Sequence, residues 1–103
     1  MTHNKFYEIF REYNIRNYCK GTYTPRNSQI KCHFLPQHGD EEVCDTTFLT
    51  INSVYDEMEE EELKPNTIFG AYAALSRYFA LAVEYGEIDQ NPVRFARIIK
   101  ADI

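Results

Sequence analysis

An all-α fold, a bundle of four to five helices, is what this chain of 103 residues predicts. Three observations predict it. Apolar residues recur at three- and four-residue intervals in several separate segments, the period of a helix with one buried face. The two-residue alternation that a half-buried strand requires does not occur. Proline and glycine stand where helices begin and end, most clearly at Pro65 and Gly86, which bracket one long periodic run.

The elements follow in order. Phe6, Ile9, Phe10 and Tyr13 share one helical face and predict a first helix over residues 4–18, with Asn4 as its N-cap. Lys20-Gly21-Thr22 breaks the pattern. Thr24-Pro25 then offers a capping hydroxyl followed by proline at the first helical position, so a short second helix is expected over residues 24–35. Pro36-Gln37-His38-Gly39-Asp40 has turn chemistry, with Gly39 available for a positive φ. A third helix is expected from Thr46 or Thr47, with Phe48, Ile51, Tyr55 and Met58 inward. Glu59, Glu60, Glu61 and Glu62 fall at its C-terminal end, where the helix dipole favours cations, and fraying is expected there. The fourth helix carries the longest stripe: Ile68, Tyr72, Leu75, Phe79, Ala82 and Val83. A fifth opens at Asn91-Pro92, with Val93, Ala96 and Ile99 continuing inward. Neither an internal repeat nor a low-complexity linker divides the chain, which reads as one domain.

Composition narrows the function. Eight tyrosines and seven phenylalanines can fill a compact helical core without tryptophan. A chain of this length builds one modest core, not a core plus a separate catalytic domain. The absence of a long apolar run and of a basic-then-apolar leader argues for a cytoplasmic protein with no membrane partner. Cys19, Cys32 and Cys44 are odd in number and widely spaced, as ordinary thiols of a reducing compartment are. Cys32-His33, His38 and Cys44 lack the CxxC or HxxxH spacing of a zinc knuckle, so neither metal nor cofactor is expected. The formal net charge of −5 is unevenly spread: ten of the sixteen acidic residues lie in residues 40–62, which hold no Lys or Arg. The rest of the chain keeps six acids against eleven bases, enough for a basic face.

Four segments occur in a recognisable order and helix phase: Phe34-Leu35-Pro36-Gln37-His38-Gly39-Asp40, Asp45-Thr46-Thr47, Leu63-Lys64-Pro65-Asn66-Thr67-Ile68, and Ala82-Val83-Glu84-Tyr85-Gly86-Glu87-Ile88-Asp89-Gln90-Asn91-Pro92. With them the chain resembles, from Phe6 through Ile99, the core-binding domain of phage integrases and other tyrosine recombinases, a module with a SAM-like orthogonal-bundle fold. The resemblance implies a clamp, in which this domain lies on one side of double-stranded DNA, a catalytic domain lies on the other, and two helices of the module face the duplex. Family enzymes cut and rejoin strands through a tyrosine nucleophile aided by Arg, Lys and His of the catalytic domain. No His-x-x-Arg pair accompanies the tyrosines here, so no catalytic residue is assigned. The chain is expected to be a non-enzymatic piece of a longer integrase. Its implied partners are duplex DNA, the catalytic domain of the same parent protein, and other integrase protomers on DNA.

On a wheel of about 100° per residue, Asn66, Gly70, Ala73, Ala74 and Arg77 fall opposite the stripe of the fourth helix. Small residues there allow close approach to DNA, and Arg77 supplies a charged contact. Lys64, Asn66 and Thr67 add a cation, polar side chains and backbone amides at a helix N-terminus, a seat for phosphate; the resemblance also puts Thr67 where family members touch DNA. Thr22, Thr24, Arg26, Asn27 and Lys31 form a companion polar set on the second helix, where Pro25 interrupts the longer polar helix usual in the family. Arg94, Arg97 and Lys100 read as a solvated face, and residues 40–62 should point away from DNA. The leading expectation is a DNA-binding domain, monomeric in isolation. Its competitor is a helical protein-interaction module whose acidic third helix docks a basic partner.

Overall fold

The computed structural model describes residues 1–98. It consists of α1 (His3–Asn17), α2 (Lys20–His33), α3 (Leu35–His38), α4 (Phe48–Glu60) and α5 (Pro65–Glu84), with 3-10 turns at Val43–Asp45 and Pro92–Phe95. The fold is all-α; among the described residues the only β-type pairing is an isolated bridge between Thr2 and Glu42. Ile99 and Lys100 lie outside the described residues.

The first four predicted helices are present with shifted edges, whereas the fifth, expected from Asn91-Pro92, is only the 3-10 turn Pro92–Phe95, which Ala96 ends in extended backbone (φ −79°, ψ 164°). Thr2, not Asn4, caps α1, its hydroxyl accepting from the Lys5 N–H at 3.4 Å. Asn4 lies inside the helix, where its N–H donates to the Gly39 carbonyl at 2.8 Å. Gly39 has φ −61°, so a positive φ is not what requires it. A Cβ there would stand 2.7 Å from the Leu35 carbonyl oxygen and against the Asn4 side chain; α1 begins too close for any side chain at position 39. The segment expected as a turn contains the single turn of α3 before that glycine.

The largest departure is α2. It starts at Lys20 with Cys19 at the N-cap, and Pro25 sits inside it. The Thr22 and Tyr23 amides both donate to the Cys19 carbonyl, at 2.9 and 3.0 Å, so the first turn closes before the proline is reached. Pro25 and Gly21 are both exposed. The carbonyl that the ring leaves without a donor is therefore available to water, which lowers the usual cost of an interior proline. Thr24, the expected cap, is an exposed residue of the helix.

The C-termini of α4 and α5 end in the same way. The Leu63 amide donates to Met58 O and the Glu62 amide to Glu59 O; at α5, Glu87 donates to Ala82 O and Gly86 to Val83 O. Both are Schellman closures. Gly86 takes φ 75° as glycine readily does, whereas Glu62 holds φ 58° with a side chain. The glutamate-rich end of α4 is thus closed by backbone bonds.

The core centres on Tyr78, which lies outside the apolar stripe read from the sequence. Its ring meets Phe6, Phe10 and Phe79 edge-on at centroid distances of 5.2, 5.1 and 5.0 Å. Each fully buried ring stabilises the fold by roughly 2–3 kcal/mol relative to exposure. His3 shares this interior with no exposed surface. Its Nδ1 lies 2.9 Å from the Tyr78 hydroxyl and its Nε2 2.7 Å from the Thr46 hydroxyl, so both nitrogens are satisfied. Burial pushes the His3 pKa down to about 4. Tyr13 and Phe48, expected inward, are exposed; Tyr72 and Val83 are half-buried, and Ala71, Tyr78 and Leu81 complete the inner face of α5.

Candidate nucleic-acid interface

Helices α2 and α5 share the most extensive contact in the molecule, and it is built from two matching ladders. Thr22, Arg26 and Gln29 stand at i, i+4 and i+7 on α2; Gly70, Ala74 and Arg77 stand at i, i+4 and i+7 on α5. The spacing keeps each set on one face. Together with Ala73 they line an open cavity of about 190 Å³ between the helices. Gly70 makes the approach close: a Cβ there would stand 3.1 Å from Gln29 Nε2. Ala74, expected to face outward, is buried at 3% exposure because α2 covers it.

Arg26 and Arg77 also line a neighbouring cavity of about 190 Å³, walled by Phe10, Tyr13, Asn14, Tyr18 and Glu84. The two guanidinium-bearing side chains therefore stand between consecutive depressions of one face. Arg26 lies over the Tyr18 ring, 4.6 Å from its centroid. Neither arginine forms an ion pair with a described residue, although Glu84 borders the same cavity. Next to Thr22, the exposed Cys19 thiol is held below the usual thiol pKa, chiefly by its hydrogen bond with the Thr22 hydroxyl.

Other residues of the expected set divide differently. Asn27 is buried at 8% exposure; its Oδ1 accepts from Asn14 Nδ2 at 2.8 Å, and its carbonyl accepts from the Tyr7 hydroxyl at 3.3 Å. It ties α2 to α1 from the interior, a correction to its expected place on the polar outer face. The Tyr7 hydroxyl's pKa is raised by that burial. Thr24 and Lys31 are exposed, but at about 100° per residue they fall on the opposite side of α2 from Thr22 and Arg26.

Lys64, Asn66 and Thr67 do stand at the start of α5, with Lys64 at the N-cap. As an anion seat this terminus is poorer than its sequence suggests. Pro65 carries no N–H, and the Thr67 amide donates to the Lys64 carbonyl at 2.9 Å.

Arg97, expected on a solvated face, is held by the acidic helix instead. Its guanidinium bonds Asp56 at 3.0 Å and Glu59 at 2.7 Å, and its amide donates to Asn52 Oδ1 at 2.9 Å. Arg94 lies 6.0 Å from the Phe95 ring. Among the described residues, no group of three or more His, Cys, Asp or Glu side chains is placed to hold a metal ion. No helix among them is long and apolar enough to cross a membrane.

The sequence reading missed Gln29, Tyr18 and Tyr13. Gln29 had a signal, the i, i+4, i+7 ladder with Thr22 and Arg26, but that ladder counts only once α2 is known to begin before Pro25. The two tyrosines had no local signal, because their place beside Arg26 depends on how α1 ends.

The fold is one that integrase-like domains of known structure share. The integrase-like domain from Bacillus cereus, solved in solution by NMR, is similar with a TM-score of 0.86 at 17% identity, over 98% of this chain and 86% of its own. A lambda integrase dimer bound to a COC′ core site, seen in a crystal structure, is similar with a TM-score of 0.85 at 22% identity. That match covers 100% of this chain and 37% of the integrase chain. An NMR structure of a fragment from Clostridium leptum gives 0.76 at 21% identity, over 99% of this chain and 92% of the fragment. At such identities the likeness is one of fold. No family model and no curated protein matches the chain.

Proposed function

We propose that this chain is the core-binding domain of a tyrosine recombinase of the phage integrase type: a non-catalytic module that holds double-stranded DNA at a core recombination site during DNA integration and recombination. The observation that carries the reading is the convergence of Arg26 and Arg77, free of carboxylate partners, beside the small residues Gly70 and Ala73. The shared fold with a lambda integrase dimer bound to a COC′ core site supports it. Phosphates of the duplex meet the two guanidiniums, and the small residues let the helix backbone come near the groove wall. Lys64, Asn66 and Thr67 extend the contact toward the start of α5, and Thr22 extends it along α2. Residues 1–103 act as one cytoplasmic domain of a longer protein, whose catalytic domain and neighbouring protomers complete the assembly on DNA.

Binding of this kind is mostly electrostatic, weak for a net acidic chain, and lost steeply as salt rises. The test is an NMR titration with a short duplex at low and at high salt. Salt-sensitive shifts at Thr22, Arg26, Gln29, Gly70 and Arg77 are expected. Shifts centred on residues 56–62 would replace this reading with the acidic protein-docking module; that alternative is weakened by Arg97 already occupying Asp56 and Glu59.

A further inference from the structure

Of the cations on the α2–α5 face, Arg26 sits over an aromatic ring. Tyr18 is the C-cap of α1, with extended backbone (φ −135°, ψ 160°) and its N–H donating to the Asn14 carbonyl at 3.0 Å. Its ring thus leaves the end of one helix and lies against the next, where the Arg26 guanidinium carbon is 4.6 Å from its centroid. Tyr13 meets the same ring edge-on at 6.3 Å and braces it from the α1 side. Tyr13, Tyr18, Arg26 and Arg77 line one cavity.

Two physical consequences follow. A long arginine side chain with no fixed partner loses rotamer freedom when it engages a phosphate, and that loss subtracts from affinity. A ring that holds the guanidinium beforehand moves the loss into folding. Unlike a carboxylate, the ring attracts the cation without neutralising it, so its charge remains available to an anion. Arg97 also lies over a ring, 5.8 Å from the centroid of Tyr55, but there Asp56 and Glu59 take up its charge.

We propose that Tyr18 is a positioning residue for DNA binding: its ring holds the Arg26 guanidinium beside Arg77, so that the two present a preassembled seat for one backbone phosphate. This rests on the DNA-binding reading above, and the experiment separates the two. Wild type, Tyr18→Phe, Tyr18→Leu, Arg26→Ala and the Tyr18→Leu/Arg26→Ala double variant are titrated with a short duplex at low salt by fluorescence anisotropy. The Arg26 δ-proton shifts are read by NMR without DNA. Tyr18→Leu weakens binding about three- to tenfold through lost preorganisation, and Tyr18→Phe binds as wild type does. The leucine adds nothing when Arg26 is already alanine, the signature of coupled residues. The upfield ring-current displacement of the Arg26 δ protons persists in Tyr18→Phe and disappears in Tyr18→Leu.

Wild-type affinity in Tyr18→Leu, a phenylalanine variant as weak as the leucine variant, or a leucine effect independent of Arg26 overturns the positioning role. Tyr18→Gln repeats the comparison if the leucine variant loses its cooperative melting transition. A wild-type chain that leaves the duplex unbound at low salt overturns the DNA reading and the positioning role with it. DNA binding that ignores Tyr18 overturns the positioning role alone.

Discussion

The α2–α5 face and the outer side of α4 both carry strong charge, and they treat it in opposite ways. On the first, Arg26 and Arg77 stand without a carboxylate at ion-pair distance, one of them over a ring. On the second, Arg97 has been drawn onto Asp56 and Glu59. A net charge of −5 describes neither surface. What decides whether an anion can be bound is whether uncompensated cations are brought together, and α2 and α5 bring two of them, Arg26 and Arg77, to the same cavities. Exposed ion pairs such as those of Arg97 add little stability, about 0–1 kcal/mol; their larger effect is to take a cation out of contention.

Beneath these surfaces His3 joins α5 to the segment before α4, hydrogen-bonding Tyr78 on one side and Thr46 on the other. Acidifying that joint is the largest effect expected. A histidine whose folded pKa is about 4 against an ordinary value of about 6.5 stabilises the fold fully above pH 6.5. Its contribution is lost as pH falls from 6.5 toward 4, a loss of about 3 kcal/mol by pH 4. Chemical denaturation across that range should show the slope in wild type and a shallower one in His3→Gln. Equal slopes in the two proteins would sink the assignment.

Charge reversal tests the contrast directly. Arg26→Glu combined with Arg77→Glu should weaken binding to a short duplex at low salt by about two orders of magnitude, with a melting temperature near wild type. Anisotropy titrations settle it, and retention of affinity would remove the distinction between the faces.

Glu62→Gly comes next, since glycine at φ 58° relieves a side chain from the left-handed region. It should raise unfolding free energy by about 1 kcal/mol, read by urea denaturation, and leave DNA affinity unaltered. A destabilised variant would mean that the glutamate side chain contributes more than its backbone strain costs.

The smallest effect sharpens the comparison from the other side. Arg97→Ala should leave DNA affinity within about twofold and lower stability by roughly 0.5 kcal/mol. An affinity loss matching that of Arg77→Ala would show that the cation held by Asp56 and Glu59 is not out of contention after all.

Much of this was legible in the chain itself, for reasons that can be stated residue by residue. Helix α5 was legible because its signals agree: Pro65 begins it, Gly86 closes it, and the apolar period runs between them. The start of α2 was not, because Thr24-Pro25 imitates a cap and first turn that the Cys19 carbonyl supplies five residues earlier. Arg26 and Arg77 could be named as candidates from charge and helix phase, but their meeting is a tertiary fact. Asn27 was misassigned because its partner, Asn14, belongs to another helix, and no local pattern distinguishes a polar residue facing water from one paired in the interior. His3 was invisible for a similar reason: a lone histidine near the first residue gives no periodic hint that it will be buried.

Gly70 makes the separation of the two guanidiniums adjustable. The atom that a methyl group at this position would meet first is the end of the Gln29 side chain, not the backbone of α2. The seam therefore behaves as a gauge with a soft spacer: one added carbon would be absorbed by a yielding amide before it levered the helices apart. The reach from Arg26 to Arg77 can thus be tuned in small increments by what stands at positions 29 and 70, while the aromatic interior around Tyr78 stays as it is.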